Sequence, residues 1–366
     1  MIIKSNSRKA AIYSNIFPMS EPPLEEEDQE GGLYVGKTSI YKLPFFLNQD
    51  RLINPHISVL GMTGSGKTYL VKSLIARYRL FKEHNVLIID WNSEYTGLVS
   101  HLHGRTTKVE VGRMPSVSEV ISGLNSIDLS AVGDGSEKLS LASTFLAGLL
   151  KFMLSLGPDR RLDTVVVIDE AWKLLNFDKN IGKLFREGRK FGFAVIAATQ
   201  LLNDVDNEVL ANAACSFVFR LQGSENFERL VSSELIDEDS VGVVRSLKRG
   251  SCLVSLAYKG RDLSRRFVVD RVSGFSMGNY SINGDKLVVN ISAHKLGAVL
   301  DDSHLSSEAK VRIGRFFEEN SKGVDLQHLV TFLFAAGLGR PDIFSLARAL
   351  GINDAAVAMA MEVVKC

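Results

Sequence analysis

Residues 61–68, which read GMTGSGKT, place three glycines, a lysine and a threonine at the spacing G-x-x-x-x-G-K-[ST]. Glycines adopt backbone angles that other residues avoid, so successive N–H groups of such a loop can turn inward onto phosphate oxygens. The apolar run before the loop and the helical pattern after it are the context that a phosphate-binding loop requires. We therefore predict that Lys67 binds the β- and γ-phosphates of ATP and that the Thr68 hydroxyl ligates Mg²⁺. The other residues predicted to form this nucleotide site are Gly61, Thr63, Gly64, Ser65, Gly66 and Tyr69.

Two acidic residues, Asp169 and Glu170, directly follow the apolar run TVVVI (164–168). Hydrolysis of a nucleoside triphosphate needs a carboxylate for the metal and a base that polarises the attacking water. We assign the metal to Asp169 and the water to Glu170. The adjacent glutamate favours a hydrolytic motor over a kinase of this fold, for which we identify no acceptor lid in the sequence.

Two further apolar runs end in polar groups. The run FAVIAATQ (193–200) ends in Gln200, a candidate sensor that could hydrogen-bond the γ-phosphate or the attacking water. The segment DWNSEY (90–95) follows the run VLIID and by itself fits a solvated turn. Beside a phosphate site, Glu94 could orient water or contact an arginine of a neighbouring subunit, and Asp90 could hold the loop. We include Glu94 among the predicted nucleotide-site residues.

Apolar runs separated by helical patterns predict the elements that position these residues. Several runs are continuously apolar, as expected of strands buried on both faces. Helical patterns at 67–82 and 139–155 lie between them and predict a mostly parallel sheet with helices on both faces. The predicted strands are 56–61, 86–90, 164–169, 193–200, 215–221, 251–257 and 265–270.

The composition limits the class of protein. The chain has 366 residues, of which 45% are hydrophobic and 23% charged, so we expect one large globular domain and a smaller one. A net charge of +1 does not by itself indicate nucleic-acid binding, although a local basic surface is compatible with it. Three widely spaced cysteines predict neither a disulfide framework nor a zinc site. No apolar run reaches the ~18–20 residues of a membrane span and no secretory signal is recognised, which predicts a cytoplasmic location, at most peripheral to a membrane complex.

The motifs together resemble the FtsK–HerA superfamily of P-loop ATPases, most closely its HerA-like branch, over about residues 33–272. The family shows a D-x-x-x-E-Y element after the second strand, an IDEAH-like strand end and an REGRK-like segment before the sensor strand. Trp172 stands where the family commonly has His. The resemblance is carried by GMTGSGKT (61–68), DWNSEY (90–95), VVVIDEAWKLL (165–175), REGRKFGFAVIAATQ (186–200) and ANAACSFVFRL (211–221).

This resemblance implies a ring, usually a hexamer, that threads double-stranded DNA through its pore using ATP. Members of the family serve DNA-end processing, chromosome pumping, conjugation and virus genome packaging. The implied partners are double-stranded DNA, further copies of the chain, and a nuclease or a membrane channel. The implied cofactors are ATP and Mg²⁺.

Basic residues of REGRKFG (186–192) precede the sensor strand, where a ring would place a subunit edge. Composition alone favours a solvated helix face, because basic residues near a helix C-terminus complement its dipole. The resemblance favours Arg186 or Arg189 as an arginine finger, a contact worth about 10³–10⁵ in rate. Arg220 is the alternative finger. The basic segments DRR (159–161) and KGRDLSRR (259–266) are interpreted as solvated surface, with a DNA channel as the alternative.

The predicted organisation has three parts. Residues 18–32 are rich in acidic residues, Pro and Gly, and residues 1–32 are predicted to form a disordered arm. Residues 33–275 form the α/β domain, of the RecA-like (ASCE) P-loop class. Residues 276–366 form a small, mainly helical domain that opens with a hairpin. Its segment 343–364 has helix-turn-helix spacing but offers Asn353 and Asp354 where a DNA reader carries basic residues, so a bundle for docking or ring assembly is favoured.

Three functions remain in view from the sequence. The leading hypothesis is an ATP-hydrolysing ring motor that translocates double-stranded DNA. The first alternative is an ATPase that energises a conjugation or type IV secretion-like DNA-transfer channel. The second is a slow nucleotide switch in which the helical tail binds an effector.

Overall fold

The computed structural model describes residues 25–110, 114–158, 160–175, 180–200, 212–261, 265–272, 280–283, 286–289, 291, 293–320, 323–352, 357, 358, 360 and 361. The main sheet is formed by β1 (Leu33–Thr38), β2 (Pro44–Leu47), β3 (Ile57–Leu60), β4 (Asn85–Asp90), β5 (Arg105–Lys108), β6 (Leu124–Asp128), β7 (Arg160–Ile168), β8 (Phe191–Thr199), β9 (Cys215–Phe219), β10 (Cys252–Leu256) and β11 (Arg265–Val272). These eleven strands lie in the order β2-β1-β11-β10-β9-β3-β8-β7-β4-β6-β5.

The described helices surround this sheet or follow it in the chain. They are α1 (Glu26–Gln29), α2 (Lys67–Phe81), α3 (Thr96–His101), α4 (Val117–Val120), α5 (Gly135–Ser155), α6 (Trp172–Leu175), α7 (Asn180–Glu187), α8 (Ser224–Ser232), α9 (Glu238–Ser246), α10 (Ala293–Asp302), α11 (Ser307–Glu319), α12 (Leu326–Ala335) and α13 (Arg340–Ala349).

The strands from β9 to β5 in this order pair in parallel, and both faces of this part of the sheet are covered. Alternate residues of β4 enter different cores: Val86 and Ile88 pack on one side, Leu87 and Ile89 on the other. Helix α2 covers the first face and α5 the second. The predicted α/β fold with a mostly parallel central sheet is therefore confirmed.

Four antiparallel strands, β10, β11, β1 and β2, extend the sheet beyond β9. All seven predicted strands are present, but the sequence reading missed β1, β2, β5 and β6. Strand β5 reads RTTK and has no buried residue, so it carries no apolar signal. Strand β2 lies at the sheet edge and begins with a proline, a position at which a missing N–H is tolerated.

Residues 25–32 differ from the predicted disordered arm because two of their acidic side chains, those of Glu25 and Asp28, have ion-pair partners. Arg261 lies 2.6 Å from a carboxylate oxygen of Glu25 and 2.6 Å from one of Asp28. Arg265 also pairs with Glu25. Residues 1–24 of the predicted arm lie outside the described residues.

Helix α5 is, among the described residues, the one helix long and apolar enough to cross a membrane by length and composition. It contains the charged residues Glu137, Lys138 and Lys151, so it is not an uninterrupted apolar run. Its inner face, including Phe145, Leu149 and Met153, is buried in the core on one side of the sheet. The apolar residues of α5 thus have a packing role within the domain.

The C-terminal region contains a second sheet of three strands, β12 (Tyr280–Asn283), β13 (Lys286–Val289) and β14 (Val324–Asp325). Strands β12 and β13 pair as the predicted hairpin. Its turn was predicted at Asn283-Gly284, but Asn283 is the last residue of β12 and pairs with Lys286, and residues 284 and 285 lie outside the described residues. In the predicted helix-turn-helix segment, Leu346, Leu350 and Ile352 are buried in a separate apolar core. Their spacing therefore serves packing, while Asn353 and Asp354 lie outside the described residues.

Candidate active site

The loop between β3 and α2 has a shape that demands glycine at two positions. Gly61 has a φ of 155°, and a Cβ there would lie 2.6 Å from Phe219 Cβ. Gly66 has a φ of 122°, and a Cβ there would lie 3.2 Å from Gly250 Cα. Any side chain would therefore push the loop away from β9 and from the turn at Gly250. The loop is also held by the Gly250 N–H, which donates to the Ser65 carbonyl at 2.8 Å.

Lys67 is the first residue of α2, and its ammonium lies over the loop. Its Nζ donates to the carbonyl oxygens of Gly61 at 2.7 Å and Met62 at 3.1 Å. Burial lowers the pKa of Lys67, and the carboxylates of Glu170 and Asp169 act in the opposite direction. The Ser65 hydroxyl is buried, with no hydrogen-bond partner among the described residues. The loop thus offers a cation and a polar group with unused bonding capacity.

Two other predicted residues lie in the first turn of α2. Thr68 is half-buried, so part of it reaches solvent at the loop. Tyr69 is 55% exposed and stands at the surface beside the loop. Both positions are compatible with the predicted nucleotide site.

Asp169 and Glu170 lie at the carboxyl end of β7, which pairs with β8 in the sheet. The carboxylate of Asp169 accepts the Glu170 N–H at 2.9 Å on one oxygen and the Tyr95 hydroxyl at 3.1 Å on the other. Burial raises the pKa of Asp169 to about 6, against these two hydrogen bonds. Glu170 has a φ of 48°, in the left-handed region that few residues other than glycine adopt.

A chain of hydrogen bonds joins the phosphate loop to the predicted base. The Thr63 hydroxyl donates to the side-chain oxygen of Gln200, and the Gln200 amide donates to the Glu170 carboxylate. These residues meet because β3, β8 and β7 are neighbours with parallel directions, so their carboxyl ends share one edge. The structure therefore brings the predicted sensor and the predicted base together.

The segment 90–95 closes the same edge at the end of β4. The Asp90 carboxylate accepts backbone N–H groups of Asn92 at 3.2 Å, Glu94 at 3.1 Å and Tyr95 at 2.9 Å. Asp90 thus holds the loop, as hypothesised from the sequence. Glu94 is exposed, whereas Tyr95 is buried and bonds Asp169. Tyr95 is the functional candidate that the sequence reading missed, although its hydroxyl beside an acidic turn was a usable signal.

We predict that Tyr95→Phe lowers ATP turnover while leaving nucleotide affinity nearly unchanged. The variant removes the hydrogen bond that orients Asp169, and a bond to a charged group is worth about 1.5–3 kcal/mol, which corresponds to a loss in kcat of roughly ten- to a hundredfold. Steady-state ATPase assays and binding of a fluorescent nucleotide measure the two quantities.

Tyr258→Phe is the matched control, because Tyr258 is also buried but packs against Arg261, away from the loop. We expect parental turnover from it. Equal turnover in the Tyr95→Phe variant and the parent would show that the hydroxyl does not position Asp169.

The candidate fingers lie at two different edges of the sheet. Arg189 and Arg186 precede β8, whereas Gln200, which marks the edge with the nucleotide site, follows it. Nine residues separate these ends, about 30 Å at ~3.3 Å per residue. Arg189 donates to the Ile53 carbonyl at the far edge, so a finger role would be directed at another subunit. Arg220 lies beside the loop of its own chain, because its carbonyl accepts the Met62 N–H at 3.0 Å.

Two models of known families each match part of the chain. Residues 33–147 match the family model described as helicase HerA, central domain, and residues 120–262 match that of the AAA-like domain. Together with the fold, these matches confirm the resemblance to HerA-like P-loop ATPases.

Individual relatives agree with this class. The chain is 31% identical over 94 residues to the DNA import protein CedB of Sulfolobus acidocaldarius, covering 24% of this chain and 15% of CedB. It is 24% identical over 179 residues to the DNA double-strand break repair helicase HerA of Sulfurisphaera tokodaii, covering 46% of this chain and 34% of that protein. The chain thus spans about a third or less of these curated relatives.

A solved structure supports the fold. VirB4 of Thermoanaerobacter pseudethanolicus superposes with a TM-score of 0.53 and 14% sequence identity. The superposition covers 67% of this chain and 97% of that chain. At this identity the likeness concerns the arrangement of strands and helices alone.

Proposed function

We propose that this chain is an ATP-hydrolysing motor that moves double-stranded DNA, working as an oligomeric and most simply hexameric ring. The observation that supports it best is the hydrogen-bonded path from Thr63 through Gln200 to Glu170. Such a path lets a residue that senses the terminal phosphate be coupled to the residue that activates water. The names of the relatives, a DNA import protein and a DNA repair helicase, support DNA as the substrate of the motion.

The shape and polar groups of the loop fit a nucleoside triphosphate. Gly61 and Gly66 stand where a Cβ would collide with β9 or the Gly250 turn. The absence of side chains at these two positions lets the loop backbone pack close to both. Lys67, now bonded to loop carbonyls, would bind phosphate oxygens instead. The Ser65 hydroxyl, which has no partner among the described residues, would bind them as well. Tyr69 and Glu94 would flank the nucleotide at the exposed side of the site.

The donor set also fits Mg²⁺, which prefers oxygen ligands. The Thr68 hydroxyl and the Asp169 carboxylate would hold it, and Asp169 keeps acceptor capacity because a carboxylate has about four lone-pair sites. When bound, Mg²⁺ neutralises charge on the phosphate oxygens. The hydrogen bond from the Tyr95 hydroxyl fixes the orientation of the Asp169 carboxylate.

Within this site Glu170 is proposed to take the proton of the attacking water, and Gln200 to orient that water or the γ-phosphate. Gln200 already donates a hydrogen bond to Glu170, so a displacement of Gln200 would also move Glu170. Arg186 or Arg189 would complete the site of the next subunit, since both lie at the opposite edge of the sheet. Arg220, beside the loop, is the alternative.

Duplex DNA is expected to stimulate ATP hydrolysis, and steady-state turnover with duplex, with single strands of equal length and without DNA tests this. Stimulation by duplex supports the motor. Stimulation by single strands alone would favour a DNA-transfer channel, the second candidate, which the similarity to CedB also supports. Indifference to all nucleic acid would contradict both and leave a nucleotide switch.

A further inference from the structure

A cleft of about 370 Å³ opens at the edge of the main sheet where β7 and β8 begin. This edge is the one opposite the phosphate loop, because Gln200 lies at the other end of β8. One carboxylate, that of Asp50, is among the described residues that line the cleft. The cationic side chains that line it are Lys82, Arg160, Arg161, Arg189 and Lys259. Because Arg189 is also a candidate finger for a neighbouring subunit, we rest the inference on the other cations.

The cations come from segments that are distant in the chain. The basic segments 159–161 and 259–266 both contribute, through Arg160 and Arg161 on one side and Lys259 on the other. The remaining arginines of the second segment are bound elsewhere. Arg261 and Arg265 pair with Glu25 and Asp28, and Arg266 pairs with Asp237. The fold thus divides the basic residues into a set neutralised by carboxylates and a set that faces the cleft.

Backbone carbonyls orient two of the cleft cations. Lys259 Nζ donates to the Asp50 carbonyl at 2.6 Å, and Arg189 donates to the Ile53 carbonyl. Backbone carbonyls fix the direction of a side chain but carry no net charge. Arg160 does pair with Asp163 at 3.1 Å, but both side chains are about 40% exposed and such a pair is weak. A positive potential therefore remains in the cleft and favours an anionic ligand.

The amide side chains in the cleft are occupied by the protein itself. Gln49 donates to the Pro55 carbonyl and accepts the Tyr78 hydroxyl. Asn48 donates to the Glu30 carbonyl and accepts the Asp50 N–H. Asn and Gln are the usual readers of adenine edges, so these occupied amides offer no bidentate contact to adenine. The donors that remain in the cleft are cationic, and most protein–DNA hydrogen bonds from such donors go to phosphate oxygens.

We propose that this cleft binds the phosphate backbone of a nucleic-acid strand without reading its sequence. The inference rests on the proposed function and deepens it, because it assigns a DNA contact to a motor whose nucleotide site lies about 30 Å away at the other edge. One subunit can then hold ATP and nucleic acid at the same time. Movement of β7 or β8 would connect the two sites, since both strands run from one edge to the other.

The test is the double variant Arg161→Gln/Lys259→Gln, which removes two charges but keeps hydrogen-bond donors. Both residues are exposed and neither belongs to the proposed nucleotide site. Fluorescence anisotropy with a labelled duplex, over a range of salt concentrations, should give about tenfold weaker binding and a salt dependence shallower by about two. Basal ATP turnover and the melting temperature should match the parent.

The matched control is Lys310→Gln/Arg312→Gln. Arg312 is exposed and Lys310 is half-buried, and both also donate to backbone carbonyls, of Ala335 and Asp301, but lie on α11. The control should bind duplex as the parent does. An equal loss in both double variants would mean that total charge, not the cleft, governs binding, and would overturn the inference.

The remaining outcomes separate the inference from the proposed function. If the parent binds duplex and the cleft variant binds it equally well, the cleft assignment fails while the motor stands. If the parent binds no nucleic acid, both fail. If the cleft variant loses basal ATP turnover but keeps duplex binding, the cleft serves a neighbouring subunit's nucleotide, which also overturns the inference.

Discussion

Glu170→Gln is expected to lower ATP hydrolysis by at least about 10²-fold, within the range that a general base contributes. The glutamine has nearly the same shape, and its amide oxygen can still accept the hydrogen bond from Gln200. It cannot take a proton from water, so nucleotide should bind and stay unhydrolysed. Single-turnover hydrolysis and the affinity for a fluorescent nucleotide measure the two effects separately.

Glu94→Gln is the matched comparison, because Glu94 is a second carboxylate at the same edge of the sheet whose charge also acts on Lys67. The loop that carries Glu94 is held by Asp90, so its backbone should be unaffected. We expect a much smaller loss from Glu94→Gln than from Glu170→Gln. If the two effects were reversed, Glu94 would be the base and the assignment to Glu170 would be wrong.

Lys67→Ala is expected to abolish measurable turnover and to weaken nucleotide binding. The ammonium is held over the loop by hydrogen bonds to the Gly61 and Met62 carbonyls. When ATP binds, phosphate oxygens would take the place of these carbonyls as its acceptors. Burial lowers the pKa of Lys67, which means that the folded protein bears a cost for keeping this charge inside. The alanine variant removes this buried charge but also two hydrogen bonds, so we expect it to melt near the parental temperature, and its melting curve separates lost activity from lost folding.

Lys151→Ala serves as the control for Lys67→Ala, because Lys151 is an exposed lysine in the middle of a helix, on α5. It should leave both turnover and nucleotide binding at the parental values. Parental turnover in the Lys67→Ala variant would contradict the proposed phosphate site.

The strands that carry the site were predictable because they are buried on both faces. Residues 164–168 and 191–199 are continuously apolar or small, and all of them are buried in the sheet. A parallel sheet brings the carboxyl ends of such strands to one edge. Asp169 and Gln200 each come directly after one of these strands, so their position at the same edge could be predicted. The same rule implies that Arg189, which precedes β8, lies at the opposite edge.

Other features depended on partners that are remote in the chain. The ion pair of Asp28 with Arg261 joins residues 233 positions apart, and an acidic segment without visible partners resembles a disordered arm. The bond from Tyr95 to Asp169 spans 74 positions and depends on where the loop after β4 turns. The cleft cations likewise converge only when β7, β8 and the loop at Lys259 are in place.

The central claim, that this ATPase site drives movement on double-stranded DNA, is tested most directly by duplex-dependent ATP turnover. The assay compares duplex, single strands of equal length and no DNA, with the Glu170→Gln variant as the blank. We expect a several-fold rise in turnover with duplex in the parent and none in the variant. Parental turnover that is unchanged by any DNA would contradict it.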